Sequence, residues 1–571
     1  MIMLFAGSCD DSSGSSTDAG VDADSDTTTN NTNNTNNTTA TCDDGIRNQD
    51  EEGIDCGGSC PQADCCANGF TDPNLGEWAV DCGGSCAECF TGTVYFVAND
   101  GDDANDGLDG TPAHAWRTIA HVNEQSFSPG DAVLFKRGDE WRESLLISSS
   151  GTAEAHITFG AYGEGPRPRI LGSERATSWT AVTGETNIWR SETVLAAPRQ
   201  REGNSVTNHP ASIFFGELDG THTWGNMEEL HLNSEGAPTD IYECDSEGAP
   251  FSLLDREYDW CWQDDHIYVY SPENPGDRYA FVEVPQRLST IATADHPPQE
   301  YFSIDNLELM YAIKYGYDDG WPMNVVVRGL NITNCHIGYM GTKGAAAAYG
   351  LQIWHSDMLV QGNDIHDCGR RNISYNVYGD VRDESLVFEN VIFLDNILHN
   401  GYHTTGFDIS CGYTDTFRNF QFINNFIWDN LQDDPQNHPN DFTSMGIYLA
   451  GDTATFTDFL IYRNILKYIK QKAIIVGNVQ NARIIHNTLY SMNHNAGGDY
   501  RGLITVSGEP ANLRIENNIF FGDLPDSASF VLSMVTFSGN SHEGAMLNNN
   551  LFWLTNDAQR LVTTSIDSYT I

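Results

Sequence analysis

Eight stretches between Asn331 and Asn550 set an asparagine just ahead of apolar residues. They read GLNIT (Asn331), QGNDI (Asn363), LDNIL (Asn396), INNFI (Asn425), YRNIL (Asn464), IHNTL (Asn487), ENNIF (Asn518) and NNNLF (Asn550). The asparagines are 32, 33, 29, 39, 23, 31 and 32 residues apart. A period in this range marks a solenoid, in which each repeat is one supersecondary unit stacked on the next. The segments around them are short β-branched and aromatic runs such as VVVRG, LVFENV, NFQFIN, DFLIY and ARIIHN. Short alternating runs with no long 3.6-residue period predict strands, not helices. An Asn at the same corner of each turn can bond backbone groups and its own kind above and below. It also tolerates the left-handed conformation of a sharp corner. Such a column satisfies polar groups that the corner would otherwise bury unpaired.

This pattern resembles the right-handed parallel β-helix of the pectate-lyase-like superfamily, from about Tyr95 to the C-terminus. The fold class expected is therefore all-β, a right-handed parallel β-helix solenoid. The superfamily holds polysaccharide lyases, glycoside hydrolases, epimerases, esterases and non-catalytic adhesins, so the resemblance speaks to fold more than to reaction.

The formal charge is −51, from 80 acidic and 29 basic residues among 571. That balance argues against a nucleic-acid partner, which wants a basic surface. A polyanionic substrate would need a local basic patch against the global field. No stretch reaches the roughly 18 apolar residues of a membrane span. The segment Ala6-Gly7-Ser8-Cys9 resembles a bacterial lipobox, which would lipidate Cys9. The basic and long apolar segments of a signal peptide do not precede it, so an upstream start is expected. The localisation expected is secreted or at the bacterial cell surface, anchored through that lipid at the outer membrane. The membrane is a partner only through this anchor, and the chain is expected to be a monomer.

Residues 1–9 are read as the signal-like remnant. Residues 10–41, with TTTNNTNNTNNTT, have almost nothing to bury and predict a disordered tether. Residues 42–89 carry eight cysteines in two copies built around IDCGGSC and VDCGGSC. They resemble small Cys-rich repeats of bacterial surface proteins. Two disulfides per copy, or zinc, would replace a core too small to form. The β-helix is placed at 94–571. Its opening strand VYFV is followed by a Gly/Asp loop and a short amphipathic helix that caps the solenoid. The loop from Asp100 to Asp109 makes calcium the one cofactor to consider, although its spacing fails the EF-hand pattern. Residues 173–300 are irregular and predict an insertion resembling a small β-sandwich, in which Cys244 and Cys261 could pair.

In the repeating region the third strand of each turn reads GLQIWHS (350–356), NISYNVYG (372–379), GFDISCG (406–412), GIYLAG (446–451) and AIIVGN (473–478). Period-two alternation sends Leu351, Ile353, Phe407, Ile409, Ile447, Leu449, Ile474 and Val476 inward. It leaves Gln352, Trp354, Ser374, Asn376, Tyr378, Asp408, Ser410 and Tyr448 lining an outward groove where sugar rings could stack. Loops before these strands carry Arg370, Arg371, Tyr402, His403, Asp441 and Lys472, and stacking brings residues about thirty apart in sequence side by side.

Asp408 is the central candidate, because a carboxylate in mid-strand is poor for β-propensity. Glycoside hydrolysis needs a proton donor and a second carboxylate. Asp441 or Glu384 could complete that pair, with Arg370, Arg371, Tyr402, Trp354, Tyr378, Tyr448 and Lys472 binding an acidic, sulfated or uronic-acid polysaccharide. β-Elimination is the alternative, with His403, Tyr402 or Lys472 as base and an arginine or calcium neutralising the uronate. A non-catalytic carbohydrate-binding surface protein is the third reading. His366, His399 and His403 raise a metal site, but single structural histidines are the preferred reading, so no metal ligand is assigned.

Overall fold

The computed structural model describes residue 56 and residues 90–569 except 197–198, 203–204, 211, 227–243, 245–250, 252–253, 294–297, 321–324, 342–347, 378–384, 402–403, 429–444, 451–452, 470–471, 493–501, 524–532, 539–540, 555–559 and 564–567. The chain divides into two units, Met1–Asp81 and Cys82–Ile571. In the first, Cys56 is buried and disulfide-bonded. The lipobox-like segment, the tether and the rest of the Cys-rich repeats lie outside the described residues.

The second unit is a parallel β-helix. Three long sheets of 14, 11 and 12 strands run its length, and successive turns pair in parallel register. One turn shows the plan. Ser356–Gln361 lies in the first sheet, Asp364–Cys368 in the second and Arg371–Val377 in the third. The next turn repeats it with Val387–Leu394, Ile397–His399 and Thr404–Cys411.

The corner from the first sheet to the second carries the asparagine column. Asn363, Asn396, Asn425, Asn464, Asn487, Asn518 and Asn550 each donate through Nδ2 to a backbone carbonyl at 2.8–3.0 Å. Each of the first six also donates to the next asparagine Oδ1 at 2.9–3.0 Å. Each of those Oδ1 atoms takes a backbone N–H as well, as Asn425 Oδ1 does from Asn396. Two details differ from the sequence reading. Asn331 is outside the column, on the strand Arg328–Thr333; Cys335 holds that rung, and its N–H donates to Asn363 Oδ1 at 2.9 Å. The left-handed residue is also the one before each column asparagine: Gly362, Asp395, Asn424, Arg463, His486, Asn517 and Asn549 all have φ between 53° and 66°. The column residue itself gives its side chain to the ladder.

A second, exposed ladder follows a left-handed bend in the first sheet. Asn390 donates to Asp357, Asn419 to Asn390, and Asn512 to Asn481. Inside, phenylalanines stack turn on turn. Phe388, Phe417 and Phe456 are 5.5 and 5.1 Å apart, and Phe420 lies 5.2 Å from Phe459. Leu351, Ile353, Phe407, Ile409, Ile447, Leu449, Ile474 and Val476 all join this core.

At the N-terminal end the helix Ile119–Asn123 buries Ile119 and Val122, with Thr118 as its N-cap. Carboxylates of the Asp100–Asp109 loop accept from nearby backbone: Asp103 from Arg117 and Thr118 at the start of the helix, and Asp106 from Leu108 within the loop. Between Leu171 and Ser289 two four-stranded antiparallel sheets form. They include Phe214–Gly216, His222–Trp224 and Phe281–Pro285 in one and Ile188–Ser191 and His266–Tyr270 in the other. Cys244 and Cys261 are joined by a disulfide. Phe214 and Trp224 of the insertion share a core with Met310 and Tyr311 at the second sheet.

Candidate functional site

Register in the third sheet fixes which side chains can meet. One outward row runs Asp318, Gln352, Ser374, Asp408, Tyr448, Ile475. A second runs Tyr315, Tyr349, Arg371, Thr404, Met445, Lys472. Asp408 stands mid-sheet, flanked by the core residues Phe407 and Ile409. Arg371 Nε lies 2.7 Å from Asp408 Oδ2, and Ser410 Oγ donates to Asp408 Oδ1 at 2.8 Å. Ser410 Oγ also meets Asn376 Oδ1, so its one proton is shared between the two acceptors, and Asn376 Nδ2 donates to Ser374 Oγ at 2.7 Å. The Arg371 guanidinium is 5.3 Å from the Tyr349 ring centroid, and its Nη1 donates to the Tyr349 hydroxyl at 3.3 Å.

The row is recessed, not open. Asp408 is 1 % exposed and the Arg371 side chain 12 %. Gln352, Ser374, Asn376 and Ser410 are buried polar residues on the same face. Arg370, Tyr448 and Lys472 are half-buried. Trp354 does not line this face. Its strand ends at Gln352, so alternation stops before residue 354 and the chain turns a corner. The indole is wholly buried in the core, and its backbone N–H donates to Asp319 Oδ2 at 3.0 Å. Tyr378, Glu384, Tyr402, His403 and Asp441 lie outside the described residues, as do Lys470 and the acids of 433–434.

The geometry limits the carboxylate pair that glycoside hydrolysis needs. Paired acids stand about 5–9.5 Å apart. The other described acid in Asp408's row is Asp318, three rungs away, or about 14 Å at the spacing of adjacent strands. Among the described residues, no second acid of this row lies within that range; Glu384 and Asp441, the expected partners, lie outside the described residues.

Two further groups were missed by sequence reasoning, and a third was read only in part. Inside the helix, Asp319 accepts from the Tyr317 hydroxyl and the Trp354 N–H, and His355 Nε2 lies 3.2 Å from Asp319 Oδ1 but out of line for a hydrogen bond. Burial pushes the Asp319 carboxyl up to about 8 and the His355 imidazole down to about 3. Strand ends gave no sign of this network. On the first sheet, a cleft of about 430 Å³ is lined by Asn419, Asp458, Asn481, Arg483 and Arg514. It lies on a different sheet from Asp408.

The third group is on the outer face of the second sheet. The register puts His336 beside Asp364, and Gly338, His366, His399 and Trp428 in one column. The His366 and His399 rings stack at 4.8 Å and 7°, and His399 stacks on Trp428 at 4.5 Å. A Cβ on Gly338 would stand 2.7 Å from the His366 ring, so glycine leaves the space for that imidazole. Nearby, burial raises the Glu308 carboxyl, but the His336 contact and the Arg169 charge outweigh it and hold the group at about 2. The sequence showed the histidines; the stacking rungs that join them became visible only with the register.

No protein-family profile matches the chain, and no curated protein matches it. Solved structures do resemble it. A complex of XylC with xylose is 12 % identical, with a TM-score of 0.40, covering 80 % of this chain and 86 % of that one. A GH136 lacto-N-biosidase from Eubacterium ramulus is 14 % identical at 0.40, covering 81 % and 68 %. Pectate lyase Pel9A is 11 % identical at 0.32, covering 82 % and 78 %. Likeness at this level carries no argument about activity, which rests on the chain's own residues.

Proposed function

We propose that this chain is a carbohydrate-active enzyme of the cell exterior that hydrolyses an acidic polysaccharide. The observation that carries the reading is the Asp408–Arg371 pair, recessed in the middle of the third sheet among Ser374, Asn376 and Ser410. A buried ion pair is a weak source of stability, so its place in mid-strand favours a role in binding or chemistry. In this reading Asp408 activates water or attacks the anomeric carbon. Glu384 or Asp441 gives its proton to the leaving oxygen. Arg371, Arg370 and Lys472 hold the anionic groups of the sugar, and Tyr448 offers a ring face to it.

Arg371 also favours the elimination reading, because a guanidinium beside a uronate carboxylate would stabilise the charge that develops on loss of the C5 proton. There His403, Tyr402 or Lys472 is the base. Digestion of uronic-acid and sulfated polysaccharides in heavy-oxygen water separates the two. Hydrolysis puts the heavy oxygen in the new reducing end. Elimination gives an unsaturated uronide and no label. Retention of polysaccharide on the protein with no cleavage would instead favour the non-catalytic binder.

A further inference from the structure

The outer face of the second sheet carries a cluster that the polysaccharide reading does not use. One ligand atom from each of His366, Asp367 and His399 lies within 4.8 Å of the others. The side chains are recessed, at 7 %, 17 % and 16 % exposure. Each histidine is held from its far side. His366 Nε2 meets His336 Nε2 at 2.8 Å, and His336 Nδ1 faces Glu308 Oε2 at 3.5 Å. His399 Nε2 faces Asp364 Oδ1 at 3.3 Å. The near nitrogens are used differently. His366 Nδ1 meets Asp367 Oδ2 at 2.8 Å, whereas His399 Nδ1 is buried and has no hydrogen-bond partner among the described residues.

A buried imidazole nitrogen without a partner is destabilising, because nothing replaces the water it gave up. That penalty is removed if the nitrogen ligates an ion. Histidines whose second nitrogens are oriented by a carboxylate or another polar group are the usual support of metal sites. Two imidazoles and one carboxylate with an open position suit a divalent transition-metal ion.

We propose that His366, Asp367 and His399 bind one divalent transition-metal ion, with zinc the best match. His366 and His399 ligate through Nδ1 and Asp367 through a carboxylate oxygen. The proton shared by His366 Nδ1 and Asp367 leaves to solvent as the metal enters, and water completes the coordination. Tetrahedral ligands about 2.0–2.1 Å from zinc stand roughly 3.3 Å apart, so the ligand atoms draw in by up to about 1.5 Å and the two stacked imidazoles turn out of parallel to converge on the ion. Asp364 and His336 are positioning residues for this site.

The test uses the full chain, stripped with chelator and titrated with Co²⁺ followed by absorbance and with Zn²⁺ by calorimetry. The result expected is one bound equivalent with visible bands of nitrogen and oxygen ligation, lost in both His399→Ala and Asp367→Asn. Asp364→Asn weakens binding about ten- to a hundredfold. His114→Ala, at an exposed loop, leaves it unchanged. Thiolate-to-cobalt bands in the near ultraviolet report binding to the cysteine-rich segment and are counted separately. Circular dichroism of the metal-free variants controls for folding, and Asp367→Asn keeps the acceptor for His366 should His399→Ala unfold. The proposal is overturned if the wild type shows only thiolate bands, or if both variants bind as the wild type does.

Discussion

At the scale of single residues, Arg371 and Asp408 are worth more in what they prevent than in what they add. A pair this buried gains little over an apolar replacement, but removing one member strands the other. Arg371→Met therefore lowers stability by about 3 kcal/mol in denaturant unfolding, because Asp408 is left 1 % exposed without its cation. Arg371→Lys restores only part of this, since a single ammonium cannot reach both Asp408 and the Tyr349 hydroxyl. Glu308 makes a pH prediction. Its carboxyl is held at about 2 against an ordinary 4.5. The stability it contributes is complete above 4.5 and is lost as pH falls through about 2. The difference in unfolding free energy between wild type and Glu308→Gln, on the order of 2–3 kcal/mol near neutral pH, should shrink across that window.

At the scale of elements, the asparagine column is what closes each turn. Asn425 accepts from the backbone and side chain of Asn396 and donates to Phe393 O and Asn464 Oδ1. Asn425→Ala leaves buried groups on two turns unpaired and costs about 2–4 kcal/mol. Asn424→Ala, one residue earlier, removes an exposed contact to Asp395 and strains a left-handed bend, for about 1 kcal/mol. Urea titrations of the two variants check the order. The spacing of these asparagines made the solenoid legible, because a ladder repeats one residue type at one corner. Asn331 misled because an asparagine on an outward strand position looks the same in sequence as one at a corner. Trp354 misled because alternation says which way a side chain points but not where its strand stops.

At the scale of the whole molecule, the winding itself was legible and the site only in part. Alternation identified Asp408 as facing away from the core, and the loop order put Arg371 one turn before it; the register joins them. The recess was not legible, since nothing in a two-residue period reports what lies over a side chain. The histidine stack was legible in part: the sequence raised His366 and His399 together, but His336, 30 residues before His366, and the stacking of the rings appear only with the pairing of the second sheet. With a formal charge of −51, a polyanion would need the cations of the third sheet to land there. The central claim is that Asp408 serves the cleavage of such a chain. The most direct test is the rate of new reducing-end formation from acidic polysaccharides by wild type and Asp408→Asn, with folding matched by circular dichroism. The account predicts cleavage by the wild type and a loss of at least about a hundredfold in the variant. Equal rates in the two proteins would contradict it.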